Sequence, residues 1–401
     1  MFEEKKNFLD KLIPFSILVY SFFLSRRGGD TKDIISILIM TFIFIYSYKN
    51  KIKKYLYYKK EIFISIAYLF LVSISYFITN DKDAEKFYTF LHMTFYSIGF
   101  MLVLFNYKLE NKYIKYILPL LIVLSLSSIY KGILELYEHY SSITGYRIAG
   151  GTYTTKYAAE LGVYFLLGVF SIAYYKKIYI KLLLVPYIII NLGLISLTQS
   201  RNSFIAIPLT IIFLYTIVDW KKGIIILLIL LGSLGILFKY NYNIRNVVRN
   251  IDRIKGTFST VEKIKVDVRY ILFKEGIKRA RNHLIIGEGF YSNKGGKLLL
   301  VNENMEHYHN IFIETAVTQG VLTLIVYIAF LTTLFIRMLK NYFKEDDRLK
   351  RYIKLYALAV FIFSILYGLF EPIFYFEKIY QLIFTIIAIS FIIDDTKSKI
   401  S

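Results

Sequence analysis

Long apolar runs, parted by short Lys-rich breaks, leave this chain few ways to fold. Twelve stand out, at about residues 12–25, 33–48, 61–79, 88–105, 114–134, 157–175, 179–198, 203–218, 223–239, 317–337, 353–371 and 377–393. Most approach the roughly 20 residues a helix needs to cross a bilayer. They are unbroken rather than alternating, which argues for helices and against a β-barrel. Across 401 residues the chain is 56% hydrophobic and 18% aromatic, with a mean hydropathy of +0.50. Together these features specify an all-α polytopic membrane protein of about 12 transmembrane helices. Its expected parts are spans one to nine over 1–239, a large hydrophilic loop over 240–316, and spans ten to twelve with a short tail over 317–401. No small-residue cleavage site follows the first run, so that run is expected to be kept as a span.

The formal net charge is +21. Lys and Arg lie in short clusters between apolar runs. That pattern points to the positive-inside rule and to anionic headgroups of membrane lipids, not to nucleic acid. With a cytoplasmic N-terminus, the inner segments carry 26 Lys and Arg and the short outer loops carry 10. The bias supports an even number of spans, with Arg26-Arg27 as a local exception. It also puts the large loop outside, between spans nine and ten. Within that loop, Asp267 to Arg281 reads as an amphipathic helix capped by Asp267, with Val268, Ile271, Leu272 and Glu275 on one side. Such a helix either lies on the outer leaflet or covers a site as a lid.

The same topology gathers ionisable residues at the outer face, and charge in or beside a membrane marks function. Arg147 lies in the loop before span six, where Lys156 and Glu160 stand four residues apart on one helical face. Gln199 and Arg201 fill the tight turn between spans seven and eight, and Arg269 sits on the loop helix. His307, His309, Asn310 and Glu314 crowd the start of span ten, in MEHYHNIFIETAVTQG. Arginine suits bidentate phosphate contacts, and histidine can take a proton from a hydroxyl. Three arginines and a histidine at one surface suggest a lipid-linked phosphate or pyrophosphate substrate. Plainer roles stay open. Arg147 and Arg201 could anchor at headgroups, Arg269 could be a surface-helix charge, and His309 could cap a helix. His307 could be a support, and Lys156 with Glu160 a structural pair. His92 reads as a packing residue, and His139 and His283 carry no local signal.

Other chemistries lack their residues. There is no Cys, which excludes disulfides and thiolates. No zinc-ligand spacing, P-loop, GxGxxG or GxSxG occurs. The DxD of a metal-assisted glycosyltransferase is absent, and NDKD at 80–83 is a poor match. No metal, nucleotide or other cofactor is expected. A transporter would place ionisable groups near mid-membrane and break helices in both halves. Here the polar groups gather at one face, and only five prolines occur.

Four segments, in order, resemble one family. His309-Asn310-x-x-x-Glu314, followed by Gly320 and an apolar span, resembles the HN…E…G signature of the O-antigen ligase and polymerase superfamily. SRNSF at 200–204 is similar to that family's Ser-Arg-Gly-Ala turn, with Asn202-Ser203 in place of Gly-Ala. Arg269 with GEGF at 287–290 resembles its arginine, long helix and G-x-G segment, without the common Trp. RIAGGTYTTKYAAE at 147–160 resembles its Arg-x-x-Gly stretch before span six. The resemblance covers about 147–336 and implies a GT-C-like membrane glycosyltransferase in a bacterial inner membrane, its site facing the periplasm. The implied ligase moves a glycan from undecaprenyl pyrophosphate to a lipid A-core or similar hydroxyl, in lipopolysaccharide biosynthesis, using neither nucleotide nor metal. By resemblance Arg201, Arg269 and His309 are catalytic. Arg147, Lys156, Glu160, His307, Asn310 and Glu314 are expected to bind substrate. The alternative is a repeat-unit polymerase, whose arginines usually spread over two large loops. A protein O-glycan transferase or a polysaccharide transporter stands further off.

Overall fold

The structure, a computed structural model, describes residues 31–49, 57–80, 83–139, 146–221, 268–293, 298–300 and 303–394, with Ile13, Ser16 and Ile224. In chain order the helices are α1 (Thr31–Lys49), α2 (Lys59–Ile78), α3 (Ala84–Leu104), α4 (Asn111–Glu138), α5 (Thr154–Tyr174), α6 (Ile178–Thr198) and α7 (Arg201–Val218). There follow α8 (Val268–Asn282), α9 (Ile311–Thr318), α10 (Val321–Phe343), α11 (Arg348–Gly368) and α12 (Glu377–Ile392). A hairpin of β1 (Leu298–Leu300) and β2 (Glu303–Met305), with Leu298 opposite Met305, is the one sheet among the described residues. Seven helices, α2 to α7 and α10, are long and apolar enough to cross a membrane, and α1 carries a shorter apolar stretch, Asp33–Tyr48. The protein is thus all-helical apart from the hairpin and multi-pass, as its apolar runs require. Spans 12–25 and 223–239, Arg26-Arg27, the 239/240 boundary, Asp267 and the tail beyond 394 lie outside the described residues, apart from Ile13, Ser16 and Ile224.

Expected spans eleven and twelve are α11 and α12, and they form the centre of the bundle. Every residue from Ile353 to Phe363 and from Ile379 to Ile392 is buried. A helix apolar on all sides belongs in an interior. At 16 residues α12 is about 24 Å long, short of a roughly 30 Å hydrocarbon layer. α11 packs against α12, α5, α7 and α10, and α2 lies along α10. There Tyr68 stacks on Tyr327 at 4.9 Å and on Phe330 at 5.6 Å.

Span ten departs from the expected 317–337. α9 ends at Thr318 and α10 begins at Val321. The break is steric: Gly320 has φ +97, and a Cβ there would sit 2.4 Å from the Ile285 carbonyl oxygen. The expected loop helix is present as α8, yet its buried side differs. Leu272, Gly276 and Ala280, one turn apart, are buried against Tyr308 and Ile313 with Val268 packed beside them, while Ile271 and Glu275 of the expected side are only partly buried. α8 is therefore clamped to α9. The GEGF segment then runs back along the end of α9: Glu288 N donates to Val317 O at 2.9 Å and Gly289 N to Thr318 O at 3.0 Å.

Buried charge at one end of the bundle is neutralised internally. Lys354 on α11 meets Glu345 at 2.6 Å and Asp394 at 3.3 Å, and Arg337 on α10 meets Glu61 on α2 at 2.7 Å. These pairs tie α2, α10, α11 and α12 together. The other end of α11 is different.

Candidate functional site

α11 ends at Gly368, and the turn after it carries Glu371, whose carboxylate is only 3% exposed. Four side chains from three other parts of the fold meet it. On Oε1, Arg269 Nη2 lies at 3.6 Å and Asn202 Nδ2 at 3.5 Å. On Oε2, His309 Nδ1 lies at 3.1 Å and His307 Nε2 at 3.9 Å. Arg269 Nη1 also donates to Asn202 Oδ1 at 3.3 Å. The two imidazoles meet edge to face, 4.3 Å apart. Residues 202 and 309 are far apart in sequence and adjacent in space. α7 and α9 both begin here, so two helix N-termini gather at one place, which favours anions.

Local chemistry fixes the histidine segment. Asn310 caps α9, with Oδ1 accepting from Phe312 N at 3.0 Å and Ile313 N at 3.1 Å. Its Nδ2 donates to Leu369 O at 3.0 Å, pinning the cap beside Glu371. Glu314, fully buried, accepts from Tyr308 N at 2.8 Å and from Tyr375 Oη at 2.9 Å. Between these two anchors His309 is held at φ +51. Asn310 and Glu314, expected to bind substrate, thus have their polar atoms committed to positioning His309.

The charges sort by burial and neighbour. Burial alone would raise the Glu371 carboxyl, but His309, then His307 and Arg269, outweigh it and hold it below the usual carboxylate range. An ionised carboxylate only accepts, so His309 donates to it from Nδ1. Burial, then the neighbouring His309, lowers His307 to about 4, so it stays neutral. Glu314 is pushed up to about 7 by burial. His307, His309 and Glu371 lie close enough to share a cation, their ligand atoms within 4.8 Å. The Arg269 guanidinium already stands on that carboxylate, so the cluster reads as a charge network.

Arg201 is the first residue of α7, beside Asn202. Arg147 Nε donates to Thr198 O at 3.1 Å, bringing its loop onto the turn that holds Gln199 and Arg201. Glu135, which the sequence did not single out, secures that loop through Ala149 N at 2.9 Å and Gly151 N at 3.2 Å. Lys156 and Glu160 do not form the expected pair. Lys156 Nζ lies over Tyr153 at 4.9 Å and Phe376 at 5.5 Å, and its charge reaches His307. Glu160 is bonded to Ser128 between α4 and α5, away from the cluster's partners. His92 is not only packing: it faces Asp33 at 3.3 Å in the interior. Glu371 itself was missed. Its signal was a single acidic residue at the end of span eleven that charge bias assigns to the outer face.

A family described as O-antigen ligase matches residues 186–328. That segment holds Arg201, Asn202, Arg269, His307, His309, Glu314 and Gly320, and leaves out Arg147, Lys156, Glu160 and Glu371. No curated protein matches the chain.

Proposed function

We propose that this chain, a member of the O-antigen ligase and polymerase superfamily through residues 186–328, is a glycan ligase acting on lipid-linked substrates at the outer side of a bacterial inner membrane. The donor is a glycan on undecaprenyl pyrophosphate, and the acceptor is a hydroxyl of lipid A-core or a similar glycan. The observation that carries this reading is that Arg269 and His309 sit on opposite oxygens of one buried carboxylate. An arginine for a diphosphate and an imidazole for a hydroxyl are thereby side by side.

In the reaction, Arg269, with Arg201 and Arg147 on the neighbouring turn, binds the diphosphate and stabilises the charge it gains as it leaves. His309 Nε2 takes the acceptor's proton. The acceptor oxygen forms a bond to the anomeric carbon. The bond from that carbon to the diphosphate breaks, its electron pair going to the leaving group. Glu371 orients the imidazole through Nδ1, as the carboxylate does in a hydrolase triad. Lys156, on its aromatic bed of Tyr153 and Phe376, lines the acceptor side.

Surface-glycan analysis of a deletion strain, complemented with wild type, His309→Ala or Arg201→Ala, tests the assignment. The expected result is restored capping by wild type only, with both variants inserted in the membrane at normal level. Full-length capping by both variants would remove the proposal. Single-repeat caps in the deletion strain would identify a polymerase instead.

A further inference from the structure

Glu371 is shared unequally. Its bond to His309 Nδ1, at 3.1 Å, has ordinary hydrogen-bond length, whereas Arg269 Nη2 stands at 3.6 Å and its side chain is 34% exposed. Arg269 is the partner able to leave. Besides Arg269 and Glu371, the charged group that reaches this histidine pair is Lys156 from α5, with Glu306 next to His307 in the chain.

Resting on the ligase reading above, we propose that Glu371 is a positioning residue that couples the two substrates: an anionic diphosphate draws Arg269 off Oε1, leaves the buried carboxylate to His309, and so makes His309 able to hold the acceptor's proton. A carboxylate this buried requires a compensating positive charge. Without diphosphate, His309 and Arg269 share that compensation. With diphosphate bound, the compensation falls to the imidazole. In the transfer step, the O–H bond of the acceptor breaks, its proton goes to Nε2, and the imidazolium formed replaces Arg269 as the partner of Glu371. Donor therefore precedes acceptor activation. Linkage makes the coupling reciprocal, so a proton on His309 must also tighten diphosphate binding.

The test uses the full chain in nanodiscs and farnesyl pyrophosphate as probe, by calorimetry at pH 7 in buffers of different ionisation enthalpy. Wild type is expected to take up a fraction of a proton per probe bound. Glu371→Gln, and separately His309→Gln, should bind the probe with that uptake lost, while Arg269→Ala should weaken binding about tenfold or more. The His309→Gln arm leaves Glu371 intact, so a misfolded Glu371 variant does not decide the matter. Probe binding that ignores Arg269→Ala would overturn the ligase reading. Arg269-dependent binding with equal proton uptake in wild type and His309→Gln would overturn the coupling alone. A structural role for Glu371 would change affinity or folding and not the proton count.

Discussion

His309 occupies a backbone region that residues other than glycine seldom enter, at φ +51. Such strain costs about 1–3 kcal/mol and survives where neighbours over-determine it, commonly at active sites. Here the Asn310 cap, the Glu314 anchors and the Glu371 contact supply that hold. A positioned base contributes about 10²–10⁴-fold, so His309→Ala should lower glycan transfer in reconstituted vesicles by that factor. Activity within a few-fold of wild type would end the base assignment. Arg269→Ala should cost about 10²–10³-fold in the same assay, as for loss of one charge-stabilising donor. Arg269→Lys should recover only part, because an ammonium lacks the fork that grips a phosphate. His307, neutral above pH 5, should leave the pH profile between 5 and 8 unmoved when changed to Gln. The sequence made Arg269 and His309 legible because each combines a chemistry-bearing side chain with a family pattern. Glu371 was hidden because an acid beside Pro372, where an apolar run stops, looks like a mere boundary. Only contacts from α7, α8 and the 306–310 segment give it a role.

At the scale of elements, α9 is the bracket on which the site is built, and most of its pattern is structural. Asn310 caps it, Glu314 ties it to Tyr308 and Tyr375, and Gly320 frees the turn that ends it. The motif letters were readable in the sequence; that Asn310 and Glu314 serve the backbone was not, because a cap and a ligand use the same side chains. The break between α9 and α10 was also invisible to hydropathy, since Thr318 and Val321 both continue the apolar run. Glu314 gives a prediction with a definite sign. Its pKa is raised by burial from 4.5 to about 7, so the folded state holds its proton where the unfolded chain has lost it. Stability from this group is therefore greatest at low pH and falls as pH rises from about 4.5 to 7. Gln at this position keeps both contacts, donating to Tyr375 Oη and accepting from Tyr308 N, and removes the titration. Melting in detergent at pH 5 and pH 8 should show wild type losing more Tm than Glu314→Gln over that interval. Equal losses would mean that Glu314 is ionised throughout.

For the whole molecule the question is which side of the membrane the site faces. α5 has 21 residues and so spans about 31 Å, enough to put its two ends on opposite surfaces. Tyr153, just before α5, is 71% exposed and carries the Lys156 ammonium over its ring; Lys177, just after α5, is exposed at the far end. Lys156 acts on His307, so the Tyr153 end is the end of the Glu371 cluster. From the charge bias of the sequence this end is expected outside, since the short segments at the other end hold most of the Lys and Arg. The chain has no Cys, so single cysteines can be introduced without background. In intact spheroplasts, Tyr153→Cys should react with a membrane-impermeant maleimide, and Lys177→Cys should react only after permeabilisation. The reverse pattern would turn the cluster toward the cytosol. Arg269 and His309 would then stand where nucleotide-activated sugars are at hand and a finished glycan on a lipid carrier has not yet been exported, which is chemistry that a ligase of this kind does not use.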